Sequence, residues 1–375
     1  MTRVALRRHR DAQIPDPGID RSGLVMGVDK PDATNTGVLP GISRATVNGN
    51  VTLGAGGLLK DKNVHGRVIT TGANWRIENC LIDGGASTPG QLVECQVAAT
   101  SGIIIDSEIC STPANMHWNW NGPTGHNFQV IRCNIHHVTD GVGVFKTSAN
   151  GGGSGVTYNS GVTVTQSWIH DLAWWSAATG GIVHSDTTTH NDGIQIQGGT
   201  STVITGNTID AYLAQNFAHW WTVGQDLTEP YTFIAQRSLP TAAPYYGGPF
   251  QTIPDRGTGA FATGRYNSGA SLAAVMVNRN VGNVSATTIT DNWINGGKAA
   301  INGGLVRVSG EEFGDVLRNK FDRGQGLDNG TPGGDTTYTV LINSSYVGHV
   351  NGGVGTGDKN YYVDDNTEVL FRITG

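Results

Sequence analysis

The sequence is poor in charge, in sulfur and in long apolar runs. Charged residues fill 14% of the 375 positions, and 24 Lys and Arg against 30 Asp and Glu give a formal net charge of −6. That balance lacks the basic footprint of a general nucleic-acid binder, so no nucleic-acid partner is expected. No apolar stretch approaches the ~18 residues of a membrane span, and none is expected. Lys, Glu and Leu are too scarce for a helix bundle or coiled coil. No Gly-x-y period appears, which excludes collagen. The four cysteines, Cys80, Cys95, Cys110 and Cys133, include no CxxC pair. A zinc site is therefore not expected, and buried free thiols are.

What the chain has is glycine, at 55 positions, roughly twice average usage. Short Val/Ile/Thr runs recur between the glycines. A β-rich, turn-rich protein with a real core follows. The length predicts two or three domains, or one long repetitive one.

The repetitive reading is supported by self-similarity. Residues 77–83 (IENCLID), 105–110 (IDSEIC), 131–136 (IRCNIH), 164–170 (VTQSWIH), 204–210 (ITGNTID), 289–295 (ITDNWIN) and 316–322 (VLRNKFD) align. In each, a small or amide residue stands two before an Ile or Phe. The pairs are Cys80/Ile82, Ser107/Ile109, Cys133/Ile135, Ser167/Ile169, Asn207/Ile209, Asn292/Ile294 and Asn319/Phe321. Successive steps are 27, 26, 34, 40, 85 and 27 residues. A unit of that size cannot bury its own apolar face, so units must stack. Strands of four to six residues with Gly/Asn/Asp corners suit a parallel β-helix, in which equivalent positions lie about 4.8 Å apart. Asn at a corner tolerates a left-handed conformation and forms side-chain ladders. The longer steps are loops inserted at corners. A propeller or sandwich is the competing architecture, but the short steps are below the ~40 residues of a propeller blade.

The expected organisation is an N-terminal arm and connector over 1–45, a β-helix over 46–350 with a loop insertion at 211–270, and a C-terminal cap over 351–375. The start carries Arg3, Arg7, Arg8 and Arg10 without a following apolar segment, so no signal peptide is seen and ordinary secretion is not expected.

The coil pattern, together with residues 190–199 (HNDGIQIQGG), resembles the right-handed parallel β-helix family of pectate lyases, polygalacturonases and phage tailspikes. Residues 31–41 (PDATNTGVLPG) resemble an SNTGVP element of actinobacterial β-helix proteins and of minor tail proteins from phages of those bacteria, with Thr34 in place of Ser. The resemblance implies an all-β, right-handed solenoid. It further implies a virion tail protein, of minor-tail or tailspike kind, located in the phage tail. Its partners would be other tail proteins, host cell-envelope polysaccharide and two further copies in a homotrimer. The arginine-rich start would then be an attachment arm, or else a charged tail without a fold of its own.

Candidate chemistry gathers between residues 136 and 192. Aligning Ile135 with Ile169 stacks His136 on His170 and His137 on Asp171. Asp140-Gly141 and Asn191-Asp192-Gly193 open the strands that follow. On neighbouring coils, Asp140 and Asp192 would share a column about 5 Å apart, where one pKa must rise. That spacing is that of the paired acids of retaining glycosidases. His184, Asp186 and His190 lie in the joining loop, with His190 the expected helper. The other reading makes both acids corner residues, since Asp-Gly is a common turn pair. Polygalacturonases share only part of an Asn-x-Asp-Gly element with 191–193, and their later elements have no match. Pectate lyases hold calcium on an acidic cluster. Asp140, Asp171, Asp186 and Asp192 could supply those acids, although no cofactor is otherwise implied.

The segment 211–270 holds eleven of the 28 aromatics, Trp220 and Trp221 among them, and shorter loops add Trp118, Trp120, Trp174 and Trp175. Such rings stack on sugars, form interfaces, or pack a loop onto the solenoid. The expected sugar contacts are Trp174, Trp175, Trp220 and Trp221, with His136, His170, Asp171 and Asp186. Three functions remain: a virion structural protein that contacts glycan, a lyase or hydrolase acting through Asp140 and Asp192, and a non-catalytic carbohydrate-binding module.

Overall fold

A computed structural model describes residues 21, 24–96, 101–112, 117, 119–145, 161–173, 191–211, 271–278, 284–296, 299–303, 313–321, 340–343, 360–362 and 371–374. Within these the chain is all-β, no helix occurs, and nothing is long and apolar enough to cross a membrane as a helix. Three long sheets of ten, ten and eight strands hold nearly every strand, and all pairings are parallel. The chain visits the sheets in a fixed rotation. Ala45–Asn48 opens the first, Val51–Leu53 the second and Leu58–Lys60 the third. Lys62–His65 then returns to pair with Ala45–Asn48. This arrangement is compatible with the parallel β-helix that the repeat predicts. Tyr361–Tyr362 and Phe371–Thr374 add parallel strands beyond residue 350, inside the segment expected to cap the end.

Ile82, Ile109, Ile135, Ile169, Ile209, Ile294 and Phe321 pair one to the next along the first sheet, and all are fully buried. A second column, Ile77, Ile104, Val130, Val164, Ile204, Ile289 and Val316, does the same in the third sheet. Strand alternation sends these side chains inward and their neighbours outward.

Between the two columns runs the ladder of small and amide residues. The Cys133 amide donates to Ser167 Oγ at 3.1 Å and the Ser167 amide to Asn207 Oδ1 at 2.9 Å. The Asn207, Asn292 and Asn319 amides donate in turn to Oδ1 of Asn292, Asn319 and Asn360 at 2.9, 3.1 and 2.9 Å. Each Asn side chain also returns an N–H to a carbonyl, as Asn292 does to Ile204 at 3.0 Å. A buried corner that would otherwise orphan its backbone groups is thereby satisfied.

The residue before each rung from Cys80 to Asn319 turns the corner in left-handed conformation: Asn79, Asp106, Arg132, Gln166, Asp291 and Arg318 have φ between 48° and 62°, and Gly206 has 67°. Four of these form two bidentate ion pairs along the column, Arg132 with Asp106 and Arg318 with Asp291. The N-terminal connector is laid over this corner. Leu39 N donates to Asn79 Oδ1 at 2.7 Å, Gly37 N to the Arg132 carbonyl at 2.9 Å, and Gln166 Nε2 to the Leu24 carbonyl at 2.8 Å. Lys320 Nζ reaches the Gly27 carbonyl. From Gly27 to Leu39 the connector thus runs as a strap against the direction in which the coils grow.

Candidate functional site

Asp140 and Asp192 are consecutive rungs of the second sheet. Strand Val142–Val144 pairs with Asn191–Ile196 through Val142 and Ile194, which puts Asp140 level with Asp192. The Asp192 amide donates to Asp140 Oδ1 at 3.0 Å. One coil earlier, the Asp140 amide donates to Asn121 Oδ1 at 3.2 Å. One coil later, the Ala273 amide donates to Asp192 Oδ1 at 3.0 Å. Gln195 Nε2 donates to the remaining oxygen, Asp192 Oδ2, at 3.0 Å. Asn121, Asp140 and Asp192 therefore form a ladder in which each side chain holds the amide of the next coil.

The glycines that follow form a column of their own. A Cβ on Gly141 would lie 2.4 Å from the Gly193 carbonyl oxygen and 2.5 Å from Ile169 Cγ2. On Gly193 it would lie 2.6 Å from both the Ala274 oxygen and Ile209 Cγ2. The Asp-Gly pair is thus set by packing. The acid ties coil to coil, and the glycine lets the backbone approach the isoleucine column.

Asp192 has no solvent exposure and Asp140 is half-buried. Burial pushes the Asp140 carboxyl up to about 7. Burial, and then the charge of Asp140, raise Asp192 well above the ordinary range. The repulsion expected for two acids in one column is present. Asp192 does not face solvent, because it spends its oxygens on donors inside the corner.

The outward side of the first sheet carries the histidines. In strands Glu108–Cys110, Asn134–His136 and Trp168–His170, Cys110 pairs with His136 and His136 with His170. The His136 and His170 rings are 5.0 Å apart and inclined by 25°. His170 is fixed at Nδ1 by Asp171 Oδ2, 2.7 Å away, and at Nε2 by Asn134 Oδ1, 2.8 Å away. Trp168 stacks on its ring at 3.5 Å. His136 places Nε2 3.2 Å from Glu108 Oε1 and Nδ1 against His137 Nδ1. Burial opposes charge on His136, but Cys110 and Glu108 outweigh it and push its pKa up to about 10. Burial would raise Glu108, yet the bond to His136 draws it down. Burial lowers His137 and His170. All four cysteines are free and buried, and burial pushes the Cys80 thiol up to about 11 and Cys133 to about 12.

His184, Asp186, His190, Trp118, Trp174, Trp175, Trp220 and Trp221 lie outside the described residues, as does nearly all of 211–270. Trp120 is buried in the core and offers no face for stacking. Asp171 already accepts from His170, and Asp192 from two N–H groups, so these acids do not fit the six to eight oxygen ligands of calcium. Sequence reasoning missed Asn121, which stands only 19 residues before Asp140 and so outside the basal step. It also passed over Glu108 and Cys110. Their positions either side of Ile109 match those of Asn134 and His136 either side of Ile135, and that alternation was the available signal. No protein-family model matches this chain, and no curated protein or solved structure matches it either.

Proposed function

We propose that the chain is a right-handed parallel β-helix of a phage tail, of minor-tail or tailspike kind, which contacts host cell-envelope glycan without cleaving it. The observation that carries contact over cleavage is the engagement of Asp192, whose two carboxylate oxygens accept from Ala273 and Gln195. A general acid or nucleophile must reach its substrate, and this one is enclosed. Support for contact comes from Trp168 on the outward side of the first sheet, a half-buried ring held flat by stacking on the buried His170, as suits a sugar face. Support for the tail assignment is the sequence resemblance at residues 31–41, with a homotrimer and neighbouring tail proteins as the partners it implies.

The enzymatic reading has one observation in its favour: an Asp140 pKa of about 7 suits proton transfer at neutral pH. Incubation of the full chain with purified actinobacterial cell-wall polysaccharides separates the two. Co-sedimentation with no new reducing ends and no unsaturated uronates is expected. Turnover that Asp192→Asn abolishes would replace contact with catalysis. Mass spectrometry and antibody labelling of purified particles test the tail assignment, which absence from the particle would remove.

A further inference from the structure

We propose that Glu108, Cys110 and His136 form a binding site for one divalent transition-metal ion of the zinc class. The site is separate from the Asp140/Asp192 ladder and does not depend on the glycan reading.

The placement follows from the sheet. Glu108 and Cys110 stand two apart on one strand, so both leave it on the side opposite the buried Ile109. His136 pairs with Cys110 on the next strand, one sheet spacing away. One ligand atom from each of the three lies within 4.8 Å of the others. Bond lengths of about 2.0–2.3 Å to zinc put tetrahedral ligand atoms roughly 3.3–3.8 Å apart. The Glu108 Oε1 to His136 Nε2 distance of 3.2 Å already matches one such edge. All three separations lie within 4.8 Å, so none exceeds the long end of that range by more than about 1 Å, within reach of a side-chain adjustment.

The donor chemistry favours this class of ion. Thiolate, imidazole and carboxylate together suit zinc and its neighbours, whereas calcium and magnesium take oxygen alone. Three protein donors also leave a fourth position for water or a small ligand.

The imidazole is held in place from behind. Its Nδ1 meets His137 Nδ1, and its ring lies against His170, itself fixed by Asp171 and Asn134. A metal-binding histidine characteristically has its second nitrogen engaged in this way, which sets the tautomer and aims the first. Nε2 is left facing Glu108.

The test uses the full chain, stripped with chelator and titrated with Co2+, then with Zn2+ in competition. One ion per chain is expected, with a thiolate-to-cobalt charge-transfer band and a rise in the thermal midpoint with zinc. Cys110→Ala should remove the band, and His136→Gln and Glu108→Gln should weaken binding by about 100-fold or more, beyond what loss of an outer partner costs. Cys133→Ala should leave the band intact. X-ray absorption of the zinc-loaded wild type should show one sulfur neighbour, a reading that holds even if a variant fails to fold. No sulfur neighbour, or a band that survives Cys110→Ala, would overturn the assignment.

Discussion

The Asp192 amide donates to Oδ1 of Asp140 across 3.0 Å and the Ala273 amide to Oδ1 of Asp192, so two successive coil junctions of the second sheet are pinned by acids that burial prefers to keep protonated. Both folded-state pKa values lie above the usual value near 3.9. The stability contributed by protonation is full below about pH 4 and falls as the pH rises, for Asp140 through about 7, while burial and the charge of Asp140 hold Asp192 well above the ordinary range. Asp192→Asn keeps an oxygen for the Ala273 amide and carries no charge, and the Gln195 amide can rotate to meet it. At pH 8 the variant should be more stable than the wild type by about 1–3 kcal/mol, and at pH 4 the two should match. Urea midpoints at the two values check this, and a variant less stable at pH 8 would contradict it.

The amide ladder makes a stronger demand. Asn292→Ala leaves the Asn207 amide and the Ile204 carbonyl without their buried partners. Each costs about 1–3 kcal/mol, so a loss of about 2–6 kcal/mol is expected in chemical denaturation. Asn207→Ser should cost less, because Ser167 and Ser107 already fill rungs of the same ladder.

These ladders explain which parts of the molecule were legible in the sequence. Stacking repeats the same environment in every coil, so Ile82 through Phe321 and Cys80 through Asn319 recur as residue types. Their spacing reveals the coil whatever the loop length. Asp140 and Asp192 showed as a column, but not as enclosed, because an Asp-Gly pair reads alike at an open corner and at a packed one. The strap was not legible at all. Leu24, Gly37 and Leu39 meet Gln166, Arg132 and Asn79, each on a different coil, so no periodicity marks them.

That strap should stabilise the stack without being needed to form it, because the corner residues it meets, Asn79, Arg132 and Gln166, are already tied coil to coil through their own amides. A chain beginning at residue 42 should fold to the same β spectrum and lose about 2–4 kcal/mol, as expected for several hydrogen bonds of about 1 kcal/mol each. Far-UV circular dichroism with denaturation curves reads both quantities. Collapse to an unfolded spectrum would make the strap part of the folding unit itself.

The glycine column separates packing from chemistry at the acids. Gly193→Ala drives a methyl group to 2.6 Å from the Ala274 oxygen and from Ile209 Cγ2, and Gly141→Ala meets the same obstruction one coil earlier. Overpacking of this kind costs about 1–3 kcal/mol. If the Asp-Gly pairs serve the stack, Gly193→Ala should lower the denaturation midpoint and leave binding to polysaccharide unchanged in the fraction that remains folded. Trp168→Ala should do the reverse. Its half-buried ring stacks on His170 outside the core, so its loss should weaken glycan retention about tenfold, the 1–1.5 kcal/mol of one aromatic stack, with little change in midpoint. Co-sedimentation at matched folded fractions distinguishes the two. A Trp168→Ala protein that binds as tightly as the wild type would move the contact surface away from the outward side of the first sheet.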